Sequence, residues 1–282
     1  MSLFQALILG LIQGLAEFLP ISSSGHLAIM QDIFGISGDN ALLFTVMLHA
    51  GTLIAVAFAY RKDISALIME LGRLIRDIFT GKGLMAKSNE TRQLGLMIII
   101  GSIPAAIVGI LFEEAVGKLF SSIISVGICL MITGTILFVA EKVNSGRLDI
   151  PEAGFLNALV VGLFQAVALA PGISRSGATI VGGLFQGFKR ELAVRFAFLL
   201  SIPAVLGAVI LEIPDAVDAV KADPSGSLIG PSVLGIAVAA VSGFLAIKLM
   251  IKVVTRGKLY FFSIYTWAVG GVIVGLRLSG LL

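Results

Sequence analysis

The stretch Pro20-Ile21-Ser22-Ser23-Ser24-Gly25-His26 (PISSSGH, residues 20–26) decides how this chain folds. It sets three hydroxyls, a glycine and an imidazole inside an otherwise apolar segment. Lipid tolerates irregular polar backbone only where protein buries it or where it lines a wet cavity. Polar groups at that depth mark functional sites. A related break, Pro171 to Gly177 (PGISRSG), interrupts a second apolar segment.

The rest of the chain fits a membrane setting. Its 282 residues are 57% hydrophobic and 13% charged, against roughly 25% charged in a soluble domain. The fold class expected is an all-α polytopic membrane protein, because helices satisfy their own backbone in lipid. The 33 glycines suit close helix packing and broken helices. The net charge of +3 is small and the basic residues sit in loops. They read as insertion signals rather than a nucleic-acid footprint. Cys129 is the single cysteine, so no intrachain disulfide or cysteine metal site is expected. The N-terminus lacks the basic region of a cleavable signal peptide and is expected to be part of the fold.

Outward from PISSSGH, residues 2–19 are apolar with Gln5, Gln13 and Glu17 embedded. Pro20 ends that helix, and the serines offer caps for a short helix near 24–34. The pair reads as a re-entrant hairpin rather than one span. Residues 41–60 form a span. Residues 62–80 place Ile64, Leu67, Ile68, Leu71, Ile75 and Ile78 at helical spacing among charges, which predicts an amphipathic helix at the membrane interface. Spans follow at 94–112 and 121–140, joined by a turn with Glu113, Glu114 and Lys118, and then a polar loop at 141–152. In the second half, apolar residues 154–170 precede PGISRSG and a short apolar piece to Gly187. Spans follow at 192–211, 233–252 and 259–279, with an acidic loop at 212–231 containing Glu212, Asp215, Asp218 and Asp223.

Segment 61–92 carries seven Lys/Arg and is expected on the cytoplasmic side. Span 41–60 then runs inward and PISSSGH is entered from outside. The basic turns at 189–191 and 252–258 are also cytoplasmic, so span 192–211 runs outward. Each half reads as a hairpin plus three spans, in opposite topology. At an offset of 152, residues 10–25 match 162–177 at eight of sixteen positions, including Gln13/Gln165, Ser22/Ser174, Ser24/Ser176 and Gly25/Gly177. This predicts one transmembrane domain built from repeats of about 1–150 and 151–282. Inverted repeats with broken helices place a site where the breaks face each other.

The differences between the copies carry the chemistry. Glu17, Ser23 and His26 stand against Leu169, Arg175 and Ala178. Arg175 among serines and backbone N–H groups at a helix start suits phosphate. Ser22, Ser24, Ser174, Ser176 and Thr179 are candidate phosphate contacts, or caps alone. Gln13 and Glu17 share a helical face and suit a hard divalent cation. Ser23 and His26 are three apart and can touch on one turn, as a hydroxyl nucleophile with its base or a histidine that attacks alone. His49, with no polar neighbour in sequence, reads as a packing histidine.

At QGLAEFLP, SSSGH (22–26) and PGISRSG (171–177) the sequence resembles the undecaprenyl pyrophosphate phosphatase family of the bacitracin-resistance type, over essentially the whole chain. The resemblance implies hydrolysis of undecaprenyl diphosphate to the monophosphate and phosphate, recycling the lipid carrier for peptidoglycan. It also implies a divalent cation (Mg2+ or Ca2+), an inner-membrane location and an outward-facing site. The family's acidic pair allows Glu or Gln first, and this chain has Gln13. By resemblance Glu17 is the metal or acid residue, Arg175 the phosphate clamp, and Ser23 or His26 the nucleophile. The expected partners are the polyprenyl diphosphate and membrane lipid, with a homodimer compatible and nucleic acid excluded. The competing reading is a polyprenyl-phosphate flippase, which needs the anion cradle but neither nucleophile nor strict metal dependence. A structural scaffold would leave Arg175 and His26 unexplained.

Overall fold

A computed structural model describes residues 1–36, 39–120, 122–142, 146–221 and 229–280. Among these residues twelve helices run in order: α1 (Leu3–Phe18), α2 (Ser23–Ile33), α3 (Asp39–Ala59), α4 (Arg61–Phe79), α5 (Glu90–Leu111), α6 (Glu113–Phe120), α7 (Ile123–Lys142), α8 (Phe155–Val167), α9 (Arg175–Phe185), α10 (Arg190–Lys221), α11 (Ile229–Thr255) and α12 (Tyr260–Leu278). Among the described residues the only β-type pairing is an isolated parallel bridge between Leu148 and Phe188.

Among the described residues five helices are long and apolar enough to cross a membrane, namely α5, α7, the Arg190–Leu211 part of α10, α11 and α12. The apolar stretch of α3 followed by α4 provides a sixth, bent by 86° between the two helices. The chain is a multi-pass membrane protein. α4 turns away from α3 at nearly a right angle. α1 and α8, at 16 and 13 residues, are about 24 and 20 Å long, short of the ~30 Å hydrocarbon core.

The packing is governed by small residues. α1 lies on α11, where a Cβ on Gly10 would sit 2.8 Å from the Gly235 carbonyl oxygen and one on Gly14 would strike Ala239 and Ser242. α8 lies on α5 in the same manner, with a Gly162 Cβ meeting the Gly101 oxygen at 2.2 Å. α7 and α12 meet through Gly127 and Gly270. Lipid offers helices no hydrophobic drive to associate, so such close backbone approach is what holds them together. α3 packs against both α10 and α11. The core between them is aromatic and aliphatic, with Phe18, Phe188, Phe196 and Phe198 buried.

Two expectations need correction, and one helix holds a feature its pattern does not show. The turn at 113–120 is the short helix α6. The acidic segment expected as a loop from 212 is helical to Lys221, through Pro214. Charge ends the membrane-embedded part of a helix without ending its backbone hydrogen bonding. The remainder of that loop, with Asp223, and residues 143–145 of the 141–152 loop lie outside the described residues. Finally, the charged face of α4 is not all solvated. Glu70 and Asp77 are buried, and Arg92 reaches both, Nε to Glu70 at 2.7 Å and Nη2 to Asp77 at 2.8 Å.

Candidate active site

The two breaks touch. α1 ends at Leu19 and Pro20, and α2 begins at Ser23, with Ser22 as its N-cap. Ser22 Oγ accepts from the Gly25 N–H at 3.3 Å and shares a hydrogen bond with Ser24 Oγ at 3.2 Å. The second break repeats this. Ser174 caps α9, accepting from the Gly177 N–H at 3.1 Å, and shares a hydrogen bond with Ser176 Oγ at 3.2 Å. The contact between the breaks is reciprocal. A Cβ on Gly25 would lie 3.2 Å from Gly172 Cα, and one on Gly177 would lie 3.2 Å from Pro20 Cβ. Ser176 Oγ also donates to the Leu19 carbonyl at 3.2 Å. Side chains larger than hydrogen at the two glycines would crowd these turns.

Glu17 is the centre of the arrangement. One carboxylate oxygen, Oε1, accepts from Arg175 Nη2. The other, Oε2, accepts from Ser23 Oγ at 2.5 Å and from Gln13 Nε2 at 3.1 Å. Glu17 is buried, its side chain 5% exposed, and Arg175 is partly buried, with 22% of its side chain exposed. Gln13 Oε1 is buried with no hydrogen-bond partner among the described residues. A cleft beside the pair is lined by Glu17, Phe18, Thr52, Leu53, Val56, Arg175, Ser201 and Val205. Gln13 and Glu17 of α1, Ser23 of α2 and Arg175 of α9 are thus in one cluster.

The other residues are placed differently. His26 is not hydrogen-bonded to Ser23. Its Nδ1 lies 2.8 Å from the Ser22 carbonyl oxygen, which can only accept, so Nδ1 carries the proton. Its Nε2 then accepts from the Tyr265 hydroxyl at 2.8 Å. Thr179 is fully buried and donates to the carbonyls of Arg175 and Ser176 in its own helix. Ser22, Ser24, Ser174 and Ser176 serve caps and the link between breaks.

Sequence reasoning missed four participants. Thr133 on α7 donates to the Gly172 carbonyl at 2.9 Å and accepts from the Ser174 N–H at 3.0 Å, which fixes the second turn. Tyr265 on α12 holds His26. Thr52 and Ser201 line the cleft. A buried hydroxyl in an apolar helix is a weak signal, and nothing in the sequence links it to a turn forty residues away. Tyr265 near Trp267 has the look of an interfacial aromatic.

Comparison with known proteins agrees with the geometry. The family model described as "Bacitracin resistance protein BacA" matches residues 6–272. A protein named undecaprenyl-diphosphatase from Alkaliphilus metalliredigens is 45% identical over 274 residues, covering 97% of this chain and 98% of its own. One of the same name from Carboxydothermus hydrogenoformans is 42% identical, covering 99% of each chain. Another from Korarchaeum cryptofilum is 40% identical, covering 98% of this chain and all of its own.

Proposed function

The chain belongs to the bacitracin resistance protein BacA family, and from that membership together with the site we infer an undecaprenyl-diphosphatase. It is an integral membrane hydrolase that converts undecaprenyl diphosphate to undecaprenyl phosphate and phosphate. The observation that supports a chemical step at this site is Glu17, whose two carboxylate oxygens hold Arg175 and Ser23. A charged guanidinium, a hydroxyl and a carboxylate in contact at a buried junction form a phosphoryl-transfer set.

We propose the following roles. The terminal phosphate of the substrate takes Arg175 from Glu17, exchanging one anionic partner of the guanidinium for another. Glu17, released from that pair, accepts the Ser23 proton. Ser23 Oγ attacks the terminal phosphorus, the bond to the bridging oxygen breaks, and undecaprenyl phosphate leaves. Water then attacks the phosphoserine, Glu17 returns its proton to Ser23 Oγ, and phosphate is released. His26 orients the Ser22 turn through Nδ1. Once Tyr265 swings off the His26 Nε2, that nitrogen takes the proton of the attacking water. Ser22, Ser24, Ser174, Ser176 and Thr179 shape the two helix starts, whose N–H groups face the phosphate.

A divalent cation suits the donor set. Among the described residues no three of His, Cys, Asp and Glu cluster as a metal cage. Mg2+ commonly needs only one or two protein carboxylates plus substrate phosphates and water. Glu17 and the unpartnered Gln13 Oε1 would hold it. When bound it would neutralise charge on the diphosphate and polarise the phosphoryl group.

We also propose that the two halves, about 1–150 and 151–282, are inverted repeats. Their hairpin helices start at an offset of 152, Leu3 with Phe155 and Ser23 with Arg175, and α2 and α9 end at that offset too. The packing is exchanged in step, α1 on α11 and α8 on α5. The basic residues of 61–92 favour an inner-membrane protein with its site facing outward.

Phosphate release from a prenyl diphosphate in detergent, with and without EDTA, tests the function. Ser23→Ala and His26→Ala are each expected to lose most of it, and EDTA to abolish it reversibly. Both variants running near the wild-type rate would overturn the residue assignment.

A further inference from the structure

One wall of the site belongs to neither break. α3 lines the cleft beside Glu17 and Arg175 with Thr52, Leu53 and Val56. His49 precedes these by three, four and seven residues, so it lies on the same face of α3, one turn nearer its start. One turn further back, Thr45 accepts from Gln31 of α2 at 2.9 Å. His49 is thereby held between α2 and the cleft.

The half-buried imidazole has one hydrogen bond. Its Nδ1 lies 2.8 Å from the Thr45 carbonyl oxygen. A carbonyl only accepts, so Nδ1 carries the proton and Nε2 presents a lone pair. Among the described residues Nε2 has no hydrogen-bond partner. A ring N–H fixed on a backbone carbonyl, with the other nitrogen bare, is how metal-ligating histidines are usually oriented. Nearby, Gln13 presents a fully buried oxygen that also lacks a partner, and Glu17 supplies the negative charge.

We infer that His49 Nε2 is a third protein ligand of the divalent cation, alongside Glu17 and Gln13 Oε1, with substrate and water oxygens filling the remaining positions. This rests on the cation reading proposed above. It has a consequence for metal choice. An imidazole nitrogen among oxygen donors moves preference away from Ca2+ and Mg2+ toward later first-row metals such as Fe2+ or Zn2+, and Mn2+ serves as a paramagnetic probe of the site.

The test uses the full chain purified in detergent without a polyhistidine tag. Mn2+ is titrated in, and pulsed EPR reads nitrogen coupling to the bound ion. The chain has two histidines, so three proteins decide the matter. Wild type should bind Mn2+ with imidazole-nitrogen coupling. His26→Asn should keep that coupling, which can then come only from His49. His49→Asn retains an N–H donor near the Nδ1 position but has nothing at Nε2. It should lose the coupling and bind Mn2+ roughly tenfold or more weakly. Mn2+ bound to wild type without imidazole coupling would overturn the inference and leave the cation at Glu17 standing. So would coupling lost in His26→Asn and kept in His49→Asn. Failure of wild type to bind Mn2+ at all would remove the cation reading and this inference together.

Discussion

Ser22 has φ +70°, a left-handed conformation that glycine adopts freely and a side chain resists. Its counterpart Ser174 has φ −72°, and in that break the positive φ, +95°, falls on Gly172. The first break therefore holds strain that the second avoids, at the residue whose carbonyl orients His26 and whose hydroxyl caps α2. Such strain persists where surrounding contacts over-determine it. The two effects separate by substitution. Ser22→Ala keeps the strain and loses the cap, costing about 1 kcal/mol. Ser22→Gly releases the strain and costs only a few tenths of a kcal/mol in capping. Thermal unfolding in detergent should place the glycine variant at or above wild type and the alanine variant below both. The reverse order would mean that the conformation is not strained. At this scale Glu17, Ser23 and Arg175 were legible, because a charge or hydroxyl in an apolar run stands out. Their bonding was not. That Glu17 would split its oxygens between Arg175 and Ser23, or that His26 would turn to Tyr265 rather than Ser23, depends on helix rotation and on partners far away in the chain.

The amphipathic pattern of residues 62–80 correctly predicts α4, including its apolar stripe. What it hides is that two of the charges, Glu70 and Asp77, face inward to Arg92 of α5. A hydrophobic period marks which face is apolar but does not distinguish a solvated charge from one paired with a residue of the next helix. The length of α10 was hidden likewise, because acidic residues look the same in a loop and on the water-facing end of a helix. The Arg92 bonds set the pH response of this corner. The hydrogen bond from Arg92 holds the Asp77 carboxyl below its usual range. Burial alone would raise Glu70, but hydrogen bonds from Asn89, Arg92 and Arg73 outweigh it and hold that carboxyl low as well. A carboxylate with a depressed folded-state pKa contributes stability that is present above its unfolded pKa and lost as pH falls through the folded one. Wild type should therefore lose thermal stability on acidification below the ordinary carboxylate range. Arg92→Met removes the buried cation the two carboxylates share and leaves them only the exposed Arg73 and Arg76. It should lower Tm by several degrees at neutral pH, and the loss should shrink as pH falls and the carboxyls protonate. A deficit that stays constant with pH would show that Arg92 acts by packing alone.

At the scale of the whole molecule, the two half-helix hairpins and the exchanged packing of α1 on α11 and α8 on α5 make a definite topological demand. If α1–α2 enters and leaves by one side, only α3, α5 and α7 cross between the N-terminus and the start of the second half. Three crossings put residues 2 and 152 on opposite sides of the membrane. By the positive-inside rule, the basic residues around α4 predict Ser2 outside and Glu152 in the cytoplasm. Both positions are exposed, unlike neighbouring Ile150, which is 2% exposed and whose carbonyl accepts from Gln93. The single native cysteine, Cys129, is replaced first. Ser2→Cys in whole cells should then react with a membrane-impermeant maleimide, and Glu152→Cys should react only after permeabilisation. The proposed exchange of sides would let one break present Glu17, Ser23 and His26 while the other presents Arg175 across a shared junction. Labelling of both positions from one side would give the first half an even number of crossings. The two halves would then run in parallel, and the facing breaks would need another origin.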